Sequence, residues 1–288
     1  MAWILAGGLL ASCGCGFDVQ ALDRFLLRPW PPSEQTPADF GQTFEDVRFP
    51  SANGAMISAW FVPAQNGTAR GTFLVHTGME GNIGRFMPLL VAGAERDFNV
   101  LVYDWQGFGA SEGIKDFRNF EHDTHAALGY LRSRPEPSCR KIIHTGISLG
   151  CLPAVAITAL EPDDAVGLIL YGPFFPHHLP PLWVMERANF LLVPFAAVAG
   201  GWWAALLPPF MLPEPFFDDL RVPILLITPS DDTIVPPSEQ DLFYQALPEP
   251  KSRYFTFGGH TRAPERDPEL FTAITGWSRQ LPGLLPGE

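Results

Sequence analysis

The feature that most restricts how this 288-residue chain can fold is an alternation of short, unbroken apolar runs with longer helical stretches. Runs at residues 72–76, 100–103, 142–147, 167–171, 224–228 and 254–257 contain no Asp, Glu, Lys or Arg. Strands apolar along their whole length are buried on both faces, which requires helices on each side of a parallel sheet. Helical patterns at 86–94, 120–131, 152–160, 239–247 and 268–280 supply those covers. Two further runs, 44–49 and 56–62, flank Ala52-Asn53-Gly54, a hairpin signal that adds antiparallel strands at one edge. The expected fold class is therefore α/β, a mostly parallel eight-stranded sheet with helices on both faces. No internal repeat interrupts it.

Composition narrows the functional classes. Hydrophobic residues make up 47%, enough for a full core. The 27 glycines and 30 prolines imply many turns, yet fall short of the roughly 25–30% that marks low complexity. With 19 Lys+Arg against 31 Asp+Glu, the formal charge is −12. Neutralising phosphates needs clustered basic residues, so nucleic acid is not an expected partner. Charged residues are only 17%, below the usual level of about 25%, which leaves apolar surface for a greasy pocket or a membrane contact.

The amino terminus carries no charge from Met1 to Phe17. Its apolar run from Trp3 to Leu10 is shorter than the roughly 20 residues that span a bilayer, and reads as an export signal. Leu10-Ala11-Ser12-Cys13 resembles a bacterial lipobox, which would make Cys13 the lipidated first mature residue, although no Lys or Arg precedes the run. The expected organisation is a signal and lipobox at 1–13, a linker at 14–43, and one domain at 44–288. That domain would be exported and membrane-anchored, on the outer side of the bacterial cytoplasmic membrane or the periplasmic face of the outer membrane. Between 173 and 217 the alternation breaks, and residues 188–213 contain no charge. Pro194, Gly200-Gly201 and Pro208-Pro209 interrupt this stretch, so an inserted lid over a pocket is expected ahead of a spanning helix or plain core packing. Cys139 and Cys151 flank the 142–147 strand and would lie some 20 Å apart, too far for a disulfide.

The chemistry centres on Gly146-Ile147-Ser148-Leu149-Gly150, which follows an apolar strand and precedes a helical run. This is the context of a G-x-S-x-G nucleophile elbow. A sharp strand-to-helix turn forces the serine backbone into a strained conformation, so bulky side chains two residues before or after would collide. Gly146 and Gly150 avoid this, and the following helix N-terminus points its positive dipole at the serine. Four further motifs occur in order: Gly78-Met79-Glu80-Gly81-Asn82, the nine residues from Tyr103 to Ser111, Asp232-Thr233-Ile234-Val235-Pro236 and Gly258-Gly259-His260.

Together these five motifs make the chain similar to the α/β-hydrolase superfamily, over roughly residues 44–277. The leader and Thr36-Pro37-Ala38-Asp39 resemble those of lipoprotein-anchored bacterial serine hydrolases. The resemblance implies a triad in the order Ser, acid, His. A serine hydroxyl needs an imidazole to take its proton, and the imidazole needs an acid to fix its tautomer. Ser148 is the expected nucleophile and His260 the expected base. Asp231 and Asp232 compete as the acid, and the Asp-x-Ile-Val-Pro pattern favours Asp232. Oxyanion donors would be the backbone N–H groups of Leu149 and, by resemblance, Met79. Here the chain departs from the family, since the usual His-Gly pair reads Thr77-Gly78, with His76 one place earlier.

Other features have plainer expected roles. Asp104 holds loops together, and His76 and His144 are packed strand residues. Glu121, His122, Asp123 and His125 sit on a helix whose buried stripe is Phe120, Thr124, Ala127 and Leu131, so both histidines should face outward rather than bind metal. The expected function is a serine hydrolase cleaving carboxylic esters or related acyl bonds through an acyl-enzyme, with no cofactor and no metal. Its partners would be a small hydrophobic acyl substrate and a membrane, touched through the anchor and the lid. An aminopeptidase would need lid carboxylates for the substrate amine, and 188–213 has none. Acyl transfer and a non-catalytic tethered binding protein remain the other readings.

Overall fold

The computed structural model describes residues 27–65, 67–178 and 193–284. The leader, Cys13 and the middle of the 173–217 insertion lie outside the described residues.

Eight strands form one sheet: β1 (Glu45–Pro50), β2 (Met56–Val62), β3 (Gly71–His76), β4 (Phe98–Tyr103), β5 (Ile142–Ile147), β6 (Ala165–Tyr171), β7 (Ile224–Pro229) and β8 (Lys251–Thr256). Their order across the sheet is β8-β7-β6-β5-β3-β4-β2-β1. β1 and β2 run antiparallel to their neighbours and the other six strands are parallel. The fold is the expected one. Every residue of β3, β4 and β7 is buried, which explains why their sequences show no alternation. The two edge strands alternate more and expose charge, as edges must to avoid pairing with another chain.

The described residues contain seven helices: α1 (Met87–Glu95), α2 (Asn119–Ser133), α3 (Cys151–Leu160), α4 (Val193–Leu206), α5 (Pro237–Ala246), α6 (Gly259–Arg266) and α7 (Leu270–Ser278). On one face, Phe120 and Leu128 of α2 and Leu152 and Ala156 of α3 pack with Leu74 and Leu101. On the other, Met87 and Leu89 of α1 and Leu270 and Ile274 of α7 pack with Phe73, Val75 and Ile169. Among the described residues no helix is long and apolar enough to cross a membrane.

Two regions differ from expectation. The lead-in was expected to be an irregular linker, yet Leu27 is fully buried in the α2/α3 core and Arg28–Pro29 forms a two-residue parallel pair with Glu80–Gly81. Only three dimensions bring these segments together. In the insertion, Leu207, Phe210 and Met211 are built into the α2/α3 core, and Phe217 packs beside α3 together with Leu220 just after the insertion. The end of that segment is therefore core, because its proline-bounded 3-10 turns at Pro209–Met211 and Glu214–Asp219 press bulky side chains inward.

Buried polar groups stitch loops to this frame. Asp123, one of the four metal-type side chains on α2, is fully buried. It accepts hydrogen bonds from Ser51 Oγ (2.7 Å), Gln106 N (2.9 Å) and Gln106 Nε2 (2.6 Å). His122 stays exposed and His125 lies 3.8 Å from Glu161, and no group of three or more metal-ligating side chains occurs among the described residues. Cys139 and Cys151 are buried free thiols.

Phe210→Ala should lower unfolding stability by about 3–5 kcal/mol in urea titrations. A residue that merely roofed a pocket would leave it within about 0.5 kcal/mol.

Candidate active site

Ser148 sits between β5 and α3, in a single 3-10 turn spanning Ser148–Gly150. Its φ is +54°, a left-handed conformation that a side-chain-bearing residue adopts at a cost of about 1–2 kcal/mol. The neighbouring glycines permit it. A Cβ at Gly150 would stand 2.0 Å from the His76 carbonyl oxygen, and one at Gly146 would stand 2.5 Å from Cys151 Cα. The elbow is thus pressed directly onto the end of β3.

The structure brings together Ser148, in the turn after β5, Asp232, in the loop after β7, and His260, in the first turn of α6. His260 Nε2 lies 2.7 Å from Ser148 Oγ, and His260 Nδ1 lies 2.7 Å from Asp232 Oδ2. An ionised carboxylate can only accept, so Nδ1 carries the proton and Nε2 is left to accept from the serine hydroxyl. His260 and Asp232 are both buried. The other Asp232 oxygen accepts from the N–H groups of Ile234 and Val235, each at 2.9 Å, and Gln240 Nε2 donates to Oδ2 at 3.3 Å.

Of the two candidate acids, Asp231 faces elsewhere. It accepts from the N–H groups of Gly258 (2.9 Å) and Gly259 (2.7 Å), which hold its carboxyl below the usual range. It thereby pins the glycine turn that delivers His260. The Tyr171 hydroxyl donates to Gly259 O at 3.2 Å on the same loop. Neither Gln240 nor Tyr171 was singled out in sequence, because their separations from the residues they support follow no local pattern.

Facing the elbow is the loop after β3. A Cβ at Gly78 would meet Ile147 O at 3.3 Å and Ser148 Cβ at 3.5 Å, so Met79 follows a residue in contact with the serine turn. The N–H groups of Met79 and Leu149 donate to none of the turn, loop or cap carbonyls among the described residues. Trp105, fully buried and stacked on Phe120, donates its indole N–H to Thr77 O at 3.1 Å and so fixes the peptide that leads into Gly78.

Beneath this loop His76 Nδ1 lies 2.8 Å from the Tyr103 hydroxyl, and His76 Nε2 lies 3.1 Å from His144 Nδ1. Burial pushes His76 well below its ordinary value and His144 down to about 3, so both are neutral packing groups. Asp104 accepts from Ile83 N (2.8 Å) and Ala110 N (3.1 Å), tying the approach to α1 to the loop after β4. Burial raises its carboxyl to about 6.

A cavity of about 160 Å³ adjoins Ser148 and His260. Its walls come from Phe86, Pro88 and Leu89 on one side and Leu270, Phe271 and Ile274 on the other, over a floor of strand residues. The sequence reading placed an apolar lid from 173–217 over the pocket. Among the described residues, no part of that insertion lines the cavity. The described apolar walls belong to α1, α7 and the 3-10 turn before α1, whose pocket-facing side chains are hard to tell from core in sequence.

A family model described as Hydrolase_4, serine aminopeptidase S33, matches residues 67–212. The uncharacterized protein YfhR of Escherichia coli O157:H7 is 24% identical over 210 residues, covering 72% of this chain and 69% of that protein. The Arabidopsis thaliana α/β hydrolase domain-containing protein WAV2 is 27% identical over 218 residues, covering 73% and 68%. An esterase from Pyrococcus furiosus superposes with a TM-score of 0.70 at 18% identity, over 89% of this chain and 98% of that one. At that identity the likeness carries the fold.

Gly150→Ala should lower stability by about 1–3 kcal/mol in denaturant titrations, since a methyl cannot fit against the His76 carbonyl without moving it. An unchanged midpoint would mean that the elbow opens freely.

Proposed function

The chain belongs to the Hydrolase_4 family, described as serine aminopeptidase S33, and from that premise we propose that it cleaves carboxylic esters of apolar acids through an acyl-enzyme. The observation that carries this reading is the cavity beside the Ser148 hydroxyl, whose lining among the described residues is mostly apolar, contains no Asp or Glu, and has Arg85 as its one Lys or Arg.

In the proposed cycle Ser148 Oγ attacks the ester carbonyl while its proton passes to His260 Nε2. Asp232 holds the resulting imidazolium through Nδ1–H. The carbonyl oxygen becomes an oxyanion facing the N–H groups of Leu149 and Met79, each such donor being worth about 10²–10³ in rate. As the bond to the alcohol breaks, His260 returns the proton to the leaving oxygen. Water then attacks the acyl-enzyme, gives its proton to His260, and releases the acid while Ser148 regains its hydrogen.

The family description keeps an aminopeptidase in view. Such an enzyme binds the free amine of its substrate, for which a buried carboxylate in the pocket is the natural partner, and the cavity supplies none among the described residues. Acyl transfer differs only in the acceptor of the second step.

Wild type should bind a fluorophosphonate probe covalently and Ser148→Ala should not; equal labelling of both would remove Ser148 from the chemistry. On p-nitrophenyl esters Ser148→Ala is expected to lose about 10⁶-fold in kcat, and Asp232→Asn about 10⁴-fold. Faster turnover of aminoacyl p-nitroanilides than of esters would favour the peptidase. Trp105→Phe, which keeps the stacked ring but loses the bond to Thr77 O, should lower kcat roughly ten- to a hundredfold with KM nearly unchanged.

A further inference from the structure

The cavity has a direction that the ester reading alone does not contain. Ile147 and Tyr171 are register partners at the carboxyl edge of the sheet, and Thr145 and Ile169 are register partners two residues further back. All four side chains line the cavity. Two residues along a strand is one pleat repeat on the same face, so the cavity descends about 7 Å from the sheet edge toward its middle. It does so on the face covered by α1 and α7, whose side chains pack there with Phe73, Val75 and Ile169. The floor is the Thr145–Ile169 pair, and the facing walls include Leu89 of α1 and Leu270 and Ile274 of α7.

We propose that this shaft between α1 and α7 receives the acyl chain of the substrate, and that the enzyme selects unbranched aliphatic acyl groups of medium length. The proposal rests on the acyl-enzyme reading of Ser148. The leaving alcohol must depart after the first step, and water must then reach His260. The acyl group stays bonded to Ser148 Oγ through both steps and needs an enclosed apolar site. Aliphatic walls from Leu89, Ile169, Ile227 and Ile274 fit methylene groups. Each methylene buried there should raise kcat/KM about fourfold until the floor is reached.

The test uses two substrate series on purified full-length protein: p-nitrophenyl esters of increasing acyl length, and alkyl acetates of increasing alcohol length. Ile274→Trp, which fills the shaft from α7, should reduce the octanoate-to-acetate ratio of kcat/KM at least tenfold. Ile169→Ala, which deepens the floor, should move the optimum to longer acyl chains. Neither should change the alcohol-length profile. Val198→Asp, an exposed position on α4 within the insertion, should leave both profiles as in wild type. Unaltered acyl profiles in Ile274→Trp and Ile169→Ala, with cooperative unfolding and fluorophosphonate labelling retained, would overturn the shaft assignment while the Ser148 chemistry stood. A shift in the alcohol series instead would reverse the orientation and also overturn it. Loss of the proposed chemistry would appear separately, as ester hydrolysis undiminished in Ser148→Ala.

Discussion

The site depends on one close approach, the seating of the Gly150 backbone against the carbonyl oxygen of His76 at the end of β3. That contact leaves no room for a side chain at Gly150 and holds the turn tight enough to keep Ser148 in a left-handed conformation. Strain of this kind persists only where the surroundings over-determine it. Here the surroundings are six parallel strands, the inner five buried almost throughout, whose carboxyl ends all reach the same edge. The serine hydroxyl is lifted off that edge at the point where the loops after β3, β7 and β8 converge.

Convergence alone would not fix three side chains at hydrogen-bonding distance, and the supporting contacts explain how they are held. Asp232 receives two backbone N–H groups on one oxygen, which leaves the other for His260 and Gln240. Asp231, its neighbour, is occupied by the glycine turn ahead of His260. Two adjacent carboxylates therefore do different work because their loop turns them in opposite directions. On the far side, the Trp105 indole restrains the loop carrying Gly78 and Met79. Position is set by backbone hydrogen bonds and packed rings, which do not move with the surrounding charge.

Much of the fold was legible in sequence. The eight expected runs became the eight strands of the sheet, each within three residues of its expected limits, and the five inner parallel strands stood out because a strand buried on both faces must be apolar throughout. The elbow was legible for a steric reason, since only glycine fits two residues either side of Ser148. What could not be read was the use of apolar surface. Leu207, Phe210 and Met211 look like lid residues in a charge-free segment, while Leu89 and Ile274 look like ordinary helix core. Hydropathy records that a side chain avoids water, and says nothing about whether it meets another side chain or an empty shaft.

By itself the sequence determined the class of sheet and the strained turn with its candidate nucleophile, because each follows from local sterics and periodicity over a few residues, while the candidate base came from the triad order that the resemblance of five motifs implies. The tertiary structure alone decided what Asp231 holds beside Asp232, which loops are clamped around His260, and where the cavity runs. Those are relations between segments dozens of residues apart, fixed by how the strands register and the helices pack, and no local pattern encodes a distance across the fold.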